Sequence, residues 1–324
     1  MLSLLLFSTG AAFAQELQAP VDTGHVLTGP QRVAGKVMRP GVDSMVAVPR
    51  VLVTLHRVGE DTAAPIDSIL AGVDGSYEFR FTRTGDPQAI YFVSAAYGGI
   101  TYFTPPLVHS TVVGDEAEIA VFDTTSAHVP ISTRGHHLII SSASTTASRT
   151  ITEVFEIAND SSVTRVAREG GPAVWSTPLP PRATQFAVTQ GDIPAAAVRF
   201  DNGVANVYAP LAPGLKQFAI SYSLPASAFP LQFRITRPTQ VLEVLIEEEE
   251  GTVTGAKLKE VAPVSLERRS FRRFLADDVP ANQASVITLP ASGRTNVDKA
   301  FVIGLTLTVG GAMAVALART LRQR

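Results

Sequence analysis

The 324-residue sequence predicts an all-β fold of two or three tandem β-sandwich modules followed by a single C-terminal transmembrane helix. Two patterns carry that expectation. Short alternating runs rich in Val, Ile, Phe, Tyr and Thr recur between clusters of Gly, Pro, Asp and Asn, and helical periodicity is nearly absent before residue 300. From Ala300 to Ala318 there are 19 residues without a charge, and at about 1.5 Å of rise each they match a ~30 Å hydrocarbon core. A third observation limits how such a fold is held together: the chain has no cysteine, so burial must do it without disulfides.

At the N-terminus, MLSLLLFSTGAAFAQ carries an apolar run from Leu2 to Leu6 and the small-x-small triplet Ala12, Phe13, Ala14 before Gln15. That is the pattern of a cleaved signal peptide over 1–14. No Lys or Arg precedes the run, and an uncleaved apolar N-terminus is the other reading. At the far end Arg319, Arg322 and Arg324 directly follow the apolar span 300–318, which puts the tail 319–324 on the cytoplasmic side. The two ends together predict a single-pass protein of the cytoplasmic membrane, its body periplasmic or extracytoplasmic. The small, polar stretch 291–299 reads as a tether.

In GVDGSYEFRF, Tyr77, Phe79 and Phe81 fall on one face and Ser76, Glu78 and Arg80 on the other, after a tight turn at Asp74-Gly75. VLVTLHRV alternates in the same way, with Val51, Val53 and Leu55 inward and Thr54 and His56 outward, and AIYFVSAAY is the continuous apolar run of a core strand. Gly35-Lys36-Val37, the strand Val51 to Leu55, the DG-x-Y-x-F strand and IYFVSAAYGGITYFTPPL together resemble a carboxypeptidase-regulatory-like module, over about 30–122. The resemblance implies a small transthyretin-like (prealbumin-like) sandwich. The DG-x-Y-x-F strand is shared by many such modules, so it speaks to fold and not to function.

A second sandwich is expected over 128–239. Pro130 and Gly135 interrupt the pattern before a strand from His137 to Ser141, and Asn202-Gly203 between two alternating runs is the strongest hairpin signal in the chain. PLAPGLKQFAISYSLP resembles the second module of bacterial envelope proteins that also begin with a carboxypeptidase-regulatory-like domain, an architecture that brings no activity with it. Residues 240–290 read as a small β-unit or an extension of the second sandwich. Within them SLERRSFRRFLADD fits either a strand pair or a short helix.

The net charge of −2 gives no positive field to attract nucleic acid. Without cysteine there is no thiol nucleophile or Cys-ligated metal, and no nucleophile elbow, HExxH, P-loop or GxGxxG motif occurs. The sequence therefore predicts no catalytic, cofactor-binding or metal-ligating residue, and no cofactor. His136-His137 reads as a strand-start feature, since adjacent strand residues point to opposite faces, and His25, His56, His109 and His128 as surface histidines. Glu247 to Glu250 read as a solvated acidic turn, paired within the same unit to Arg268, Arg269, Arg272 and Arg273. Trp175 reads as docked on the sandwich. Tyr97, Tyr102 and Phe103 around Gly98-Gly99 are the candidate ligand-contact aromatics, with a core or inter-domain role for two of the three as the other reading. Thr306, Gly310, Ala314 and Ala318 share one helix face whose small residues would allow a homodimer through the anchor. The expected function is non-enzymatic: presentation of sandwich modules to an envelope protein. Carbohydrate or peptidoglycan binding is the first alternative, and an accessory subunit of an envelope enzyme the second.

Overall fold

A computed structural model of the chain describes residues 29–290, apart from 267 and 268. The leader 1–14, His25, Arg268, the tether 291–299, the span 300–318 with Thr306, Gly310, Ala314 and Ala318, and the tail 319–324 lie outside the described residues. Among the described residues the fold is all-β, helix is confined to short 3-10 turns, and no helix is long and apolar enough to cross a membrane. The chain forms two compact units.

The first unit comprises the described residues up to Met38 together with Ala47–Ala96 and Thr101–Ile119. Its strands are β1 (Pro30–Pro40), β2 (Met45–Ala47), β3 (Leu52–Val58), β4 (Ala63–Leu70), β5 (Ser76–Thr82), β6 (Ile90–Tyr97), β7 (Ile100–Phe103), β8 (Thr111–Val113) and β9 (Ile119–Ala120), a few of them ending in residues of the second unit. One sheet runs β2-β1-β5, with β8 and β9 also on β1, and a four-stranded sheet runs β4-β3-β6-β7. The alternation of β5 holds, with Tyr77 and Phe79 buried, and Phe81 stacks on Tyr91 of the other sheet with ring centroids 5.3 Å apart. Gly35 is required where β1 crosses the turn before β9: a Cβ there would lie 2.0 Å from the Ala117 carbonyl oxygen. The turn at Asp74-Gly75 forms as expected, with Gly75 at φ 76° and the Asp74 carboxylate accepting from the Ser76 hydroxyl and N–H. Those bonds hold the Asp74 carboxyl down at about 2.

The second unit takes in Arg39–Val46, Tyr97–Ile100 and the described residues from Ala120 on. Its strands are β10 (Thr124–Thr125), β11 (Ile131–Ile140), β12 (Ser148–Asn159), β13 (Thr164–Arg165), β14 (Trp175–Pro178), β15 (Thr184–Gly191), β16 (Val198–Asp201), β17 (Val204–Val207), β18 (Gly214–Pro225), β19 (Leu231–Ile235), β20 (Thr239–Ile246), β21 (Thr252–Gly255), β22 (Lys259–Leu266), β23 (Arg269–Val279) and β24 (Gln283–Thr288). A seven-stranded sheet, β15-β18-β12-β11-β20-β23-β22, is its backbone, and the three-stranded sheets β14-β17-β16 and β19-β24-β21 share one core with it. Phe155 sits at the middle of that core, against Trp175 at 4.9 Å and Phe218 at 5.4 Å between centroids.

One local expectation differs from the structure. β11 begins at Ile131 rather than His137, because a bulge between Thr133 and Gly135 absorbs the glycine without ending the strand. The His pair is therefore mid-strand and not at a strand start. The described residues of SLERRSFRRFLADD fall on the paired strands β22 and β23, the strand pair rather than the short helix, and continue the seven-stranded sheet. The Asn202-Gly203 hairpin forms between β16 and β17, with φ of 50° and 75° at its two corner residues.

Removing the ring at the centre of the second unit should leave a cavity that its neighbours fill only in part. Phe155→Ala is expected to lower the unfolding free energy by ~3–5 kcal/mol, measured by urea denaturation followed through the fluorescence of Trp175.

Candidate functional site

The central strands of the seven-stranded sheet are buried on both faces, so their polar residues must find partners inside the protein. On β11 the side chains of His136, Leu138 and Ile140 point to the face shared with the two small sheets, and His137 and Ile139 to the opposite face. His136 is stacked on Phe155 at 4.2 Å, and its Nε2 meets Glu153 Oε2 at 2.6 Å. The other oxygen of Glu153 accepts from the Tyr222 hydroxyl at 2.6 Å. Burial, reinforced by the Glu153 charge, pushes the Tyr222 hydroxyl well above its usual range and keeps it a donor.

On the opposite face His137 lies directly across from Glu243 of β20, and its Nδ1 meets Glu243 Oε2 at 2.9 Å. The second oxygen of Glu243 accepts from Arg273 Nε. His137 is fully buried and its Nε2 has no hydrogen-bond partner. Gly135 makes room for that ring: a Cβ there would stand 2.7 Å from His137 Nε2 and 2.8 Å from Glu156 Oε2. Burial acts to raise the Glu243 carboxyl, but His137 and Arg273 outweigh it and hold the group below its ordinary 4.5.

Further ion pairs close the ends of these strands. Arg149, completely buried, donates to Glu248 at 2.7 Å and to the carbonyls of Ser141 and Pro290. Arg269 pairs with Glu247, whose carboxylate also accepts the Ser142 N–H. Arg272 holds Glu260 and the carbonyls of Glu249 and Gly251. Half of the acidic run is thus drawn inward, while Glu249 and Glu250 remain exposed. The Arg–Glu pairing reaches beyond the two runs, to Arg149, Glu243 and Glu260. Among the described residues no group of three or more His, Asp or Glu side chains is placed to hold a metal ion.

The candidate aromatics are not brought together as a platform. Tyr102 is buried, Tyr97 is half-buried with its hydroxyl donating to Asp123 at 2.6 Å, and Phe103 is 58% exposed. Trp175 is buried, in T-shaped contact with Phe155 and Phe218. In the sequon Asn159-Asp160-Ser161 the asparagine is buried, with both its amide nitrogen and its oxygen hydrogen-bonded.

Phe103 belongs to a surface that the sequence did not single out. The register of β3 with β4 and β6 puts the rows Leu70–Leu52–Ala96, Ser68–Thr54–Ser94 and Ala63–Val58–Ile90 on the outward face of the four-stranded sheet. Between them His56 stacks on Phe92 at 5.1 Å, and Phe92 meets Phe103 edge-on at 5.7 Å. Leu52, Leu70, Val58, Ile90 and Phe103 are all more than 40% exposed, and no row contains an acidic side chain, lysine or arginine. His56 bonds Ser94 at 2.8 Å, and burial lowers its pKa, which favours the neutral ring. The outward face of β5 in the neighbouring sheet is the opposite kind, carrying Glu78 and Arg80, with Glu78 paired to Arg32 of β1.

No protein-family model matches the chain, and no curated protein shows significant similarity to it.

Because the Glu243 carboxyl is depressed in the folded state, its contribution is present above the ordinary 4.5 and is lost as pH falls through the lower folded value. Glu243→Gln, which leaves His137 and Arg273 without their anion, should cost on the order of 3 kcal/mol at neutral pH. It should also flatten the loss of stability below pH 4.5 seen in the parent protein, as measured by urea midpoints across an acid series.

Proposed function

We propose that this chain is a non-enzymatic envelope protein, tethered by its C-terminal helix, whose β-sandwich modules dock a second envelope protein outside the cytoplasm. The observation that carries this reading is the outer face of the β4-β3-β6-β7 sheet, whose rows carry no acidic, lysine or arginine side chain and which exposes Leu52, Leu70, Val58, Ile90 and Phe103. Large exposed apolar surfaces mark sites of association. An interface core is depleted of charge and rich in apolar and aromatic side chains, as this face is. A cleaved leader and a membrane span, as read from the sequence, would set that face beyond the membrane, and polar groups on it are already bonded to one another, as in Thr54 to Ser68 at 2.9 Å.

Within this reading the first unit is a transthyretin-like sandwich of the carboxypeptidase-regulatory-like kind. Its support is the DG turn feeding the Tyr77, Phe79, Phe81 strand and the stacking of Phe81 on Tyr91 between two sheets. The charged groups of the central sheet are consumed in pairing one another, which favours a structural role for them over acid–base chemistry. Glycan binding through the loop aromatics has less to stand on, because sugars stack on exposed rings and Tyr102 is buried.

A photo-crosslinking residue at Phe103 in intact cells should give an adduct with one envelope protein. The same probe at Arg80, on the charged face of the other sheet, should give none. Val58→Glu combined with Ile90→Glu should abolish the Phe103 adduct and leave the unfolding free energy within about 1 kcal/mol of the parent, since both side chains are exposed. No adduct at Phe103, or identical adducts from both positions, sinks the reading.

A further inference from the structure

Most arginines drawn into the second unit have a carboxylate, and Arg237 does not. It follows β19, half-buried, and its guanidinium lies over the Trp175 ring at 5.0 Å from the centroid. Its Nη1 donates to the Ser176 carbonyl, and among the described residues it makes no ion pair. Burial lowers its pKa, the direction expected of a cation that has lost water without gaining an anion. Trp175 adds a second unused donor, because its indole N–H is buried and has no acceptor.

Both side chains line one cavity of about 20 Å³, room for a water or the oxygens of one small polar group, together with the hydroxyl-bearing Thr133, Thr177 and Thr239. Glu153 also reaches this cavity, but both of its oxygens are taken by His136 and Tyr222. Arg237 is shared with a surface groove of about 430 Å³, whose walls include Pro130, Ile131 and Pro238, with Ser132 and Asp160 at its polar side. The acid in that groove is already engaged: Asp160 accepts from Ser132 at 2.9 Å and from Arg134 at 2.6 Å, which holds its carboxyl below the usual range. The groove therefore offers an apolar wall, a volume within the range of small-ligand sites, and one cation without a counter-ion.

We propose that this groove binds an amphipathic monocarboxylate, with the carboxylate on Arg237 and the apolar end along Pro130, Ile131 and Pro238. A planar guanidinium presents two parallel donors that match a carboxylate, and a partly dehydrated one gains more from an anion than a solvated one does. The shared chemistry has two sources, a free short-chain acid or the C-terminal carboxylate of a peptide. The site lies in the second unit and does not use the apolar face of the first, so either proposal can fail while the other stands.

Trp175 is the single tryptophan of the chain and lies against the Arg237 guanidinium, so in the folded protein its fluorescence reports on the surroundings of that cation. The full chain in detergent is titrated with hexanoate, hexanamide, a short acetylated peptide ending in a free valine carboxylate, and the same peptide amidated. A saturable change with hexanoate or the free-acid peptide at about 1 mM or below, absent with the matching amide, is the expected result. Whichever of the two acids binds more tightly identifies the source. Arg237→Gln should weaken that binding at least about tenfold. Arg237→Lys, which keeps the charge and loses the fork, should weaken it by less, and it serves if the Gln variant does not fold. No saturation by either acid up to about 10 mM, an equal response to the amides, or undiminished binding by folded Arg237→Gln would overturn the proposal. The cavity would then hold water only.

Discussion

The constraint on which the second unit depends is that its central strands have no wet side. A sheet buried on one face can turn its polar residues to solvent, but β11, β12 and β20 cannot, and each still carries ionisable side chains. An isolated buried charge costs far more than one hydrogen bond returns. Each must therefore be matched in place, and the register of the strands does the matching. Glu243 faces His137 because β11 and β20 run parallel in that register. Glu153 reaches both His136 and Tyr222 because β12 lies between the strands that carry them. A slip of one residue would send each of these side chains to the other face and break every one of these contacts. The paired charges thus act on specificity of register more than on net stability, which is the role best attested for buried polar groups.

The same logic accounts for the absence of cysteine. A small core that cannot hold itself together needs covalent staples, but the shared core of one large sheet and two small ones is broad and aromatic at its centre. Phe155, Trp175 and Phe218 meet edge-on or offset rather than in a flat stack, geometries that aromatic rings prefer. Burial is sufficient there, and the ionic clasps Arg149–Glu248 and Arg269–Glu247 tie down the strand ends, where burial thins.

What the sequence reveals follows how local each signal is. The β character, the hairpin at Asn202-Gly203 and the alternation of Tyr77, Phe79 and Phe81 depend on neighbours in the chain, and all are legible. The start of β11 is not, because Gly135 reads as a breaker until the bulge that accommodates it is seen. The buried network is also hidden. His137 and Glu243 are 106 positions apart, and nothing local distinguishes Glu243 from an exposed strand glutamate. One signal was available: Glu243 in VLEVLI interrupts an otherwise apolar run, and a charge in such a run either ends the strand or is paired. Arg237 gives no such hint, because it stands among Pro, Thr and Arg in a segment that reads as loop. Only the position of Trp175 beneath it sets it apart.

An uncharged sheet face in water carries a hazard as well as a use, and the edge strand beside it shows how the first unit limits the hazard. β4 is the outer strand of its sheet, where unpaired N–H and C=O groups invite another chain to add on. It carries Pro65, which has no N–H to offer, and Asp67, and its pairing with β3 is broken by a register shift between Leu55 and His56. Proline, a charge and a bulge are the devices that discourage edge-to-edge addition. They act along the sheet plane and leave approach from above unobstructed, where Leu52, Val58, Ile90 and Phe103 stand exposed. Edge protection is a general need of sheet margins, so it limits addition along the sheet plane and leaves the docking proposed for the flat side to rest on the exposed side chains themselves.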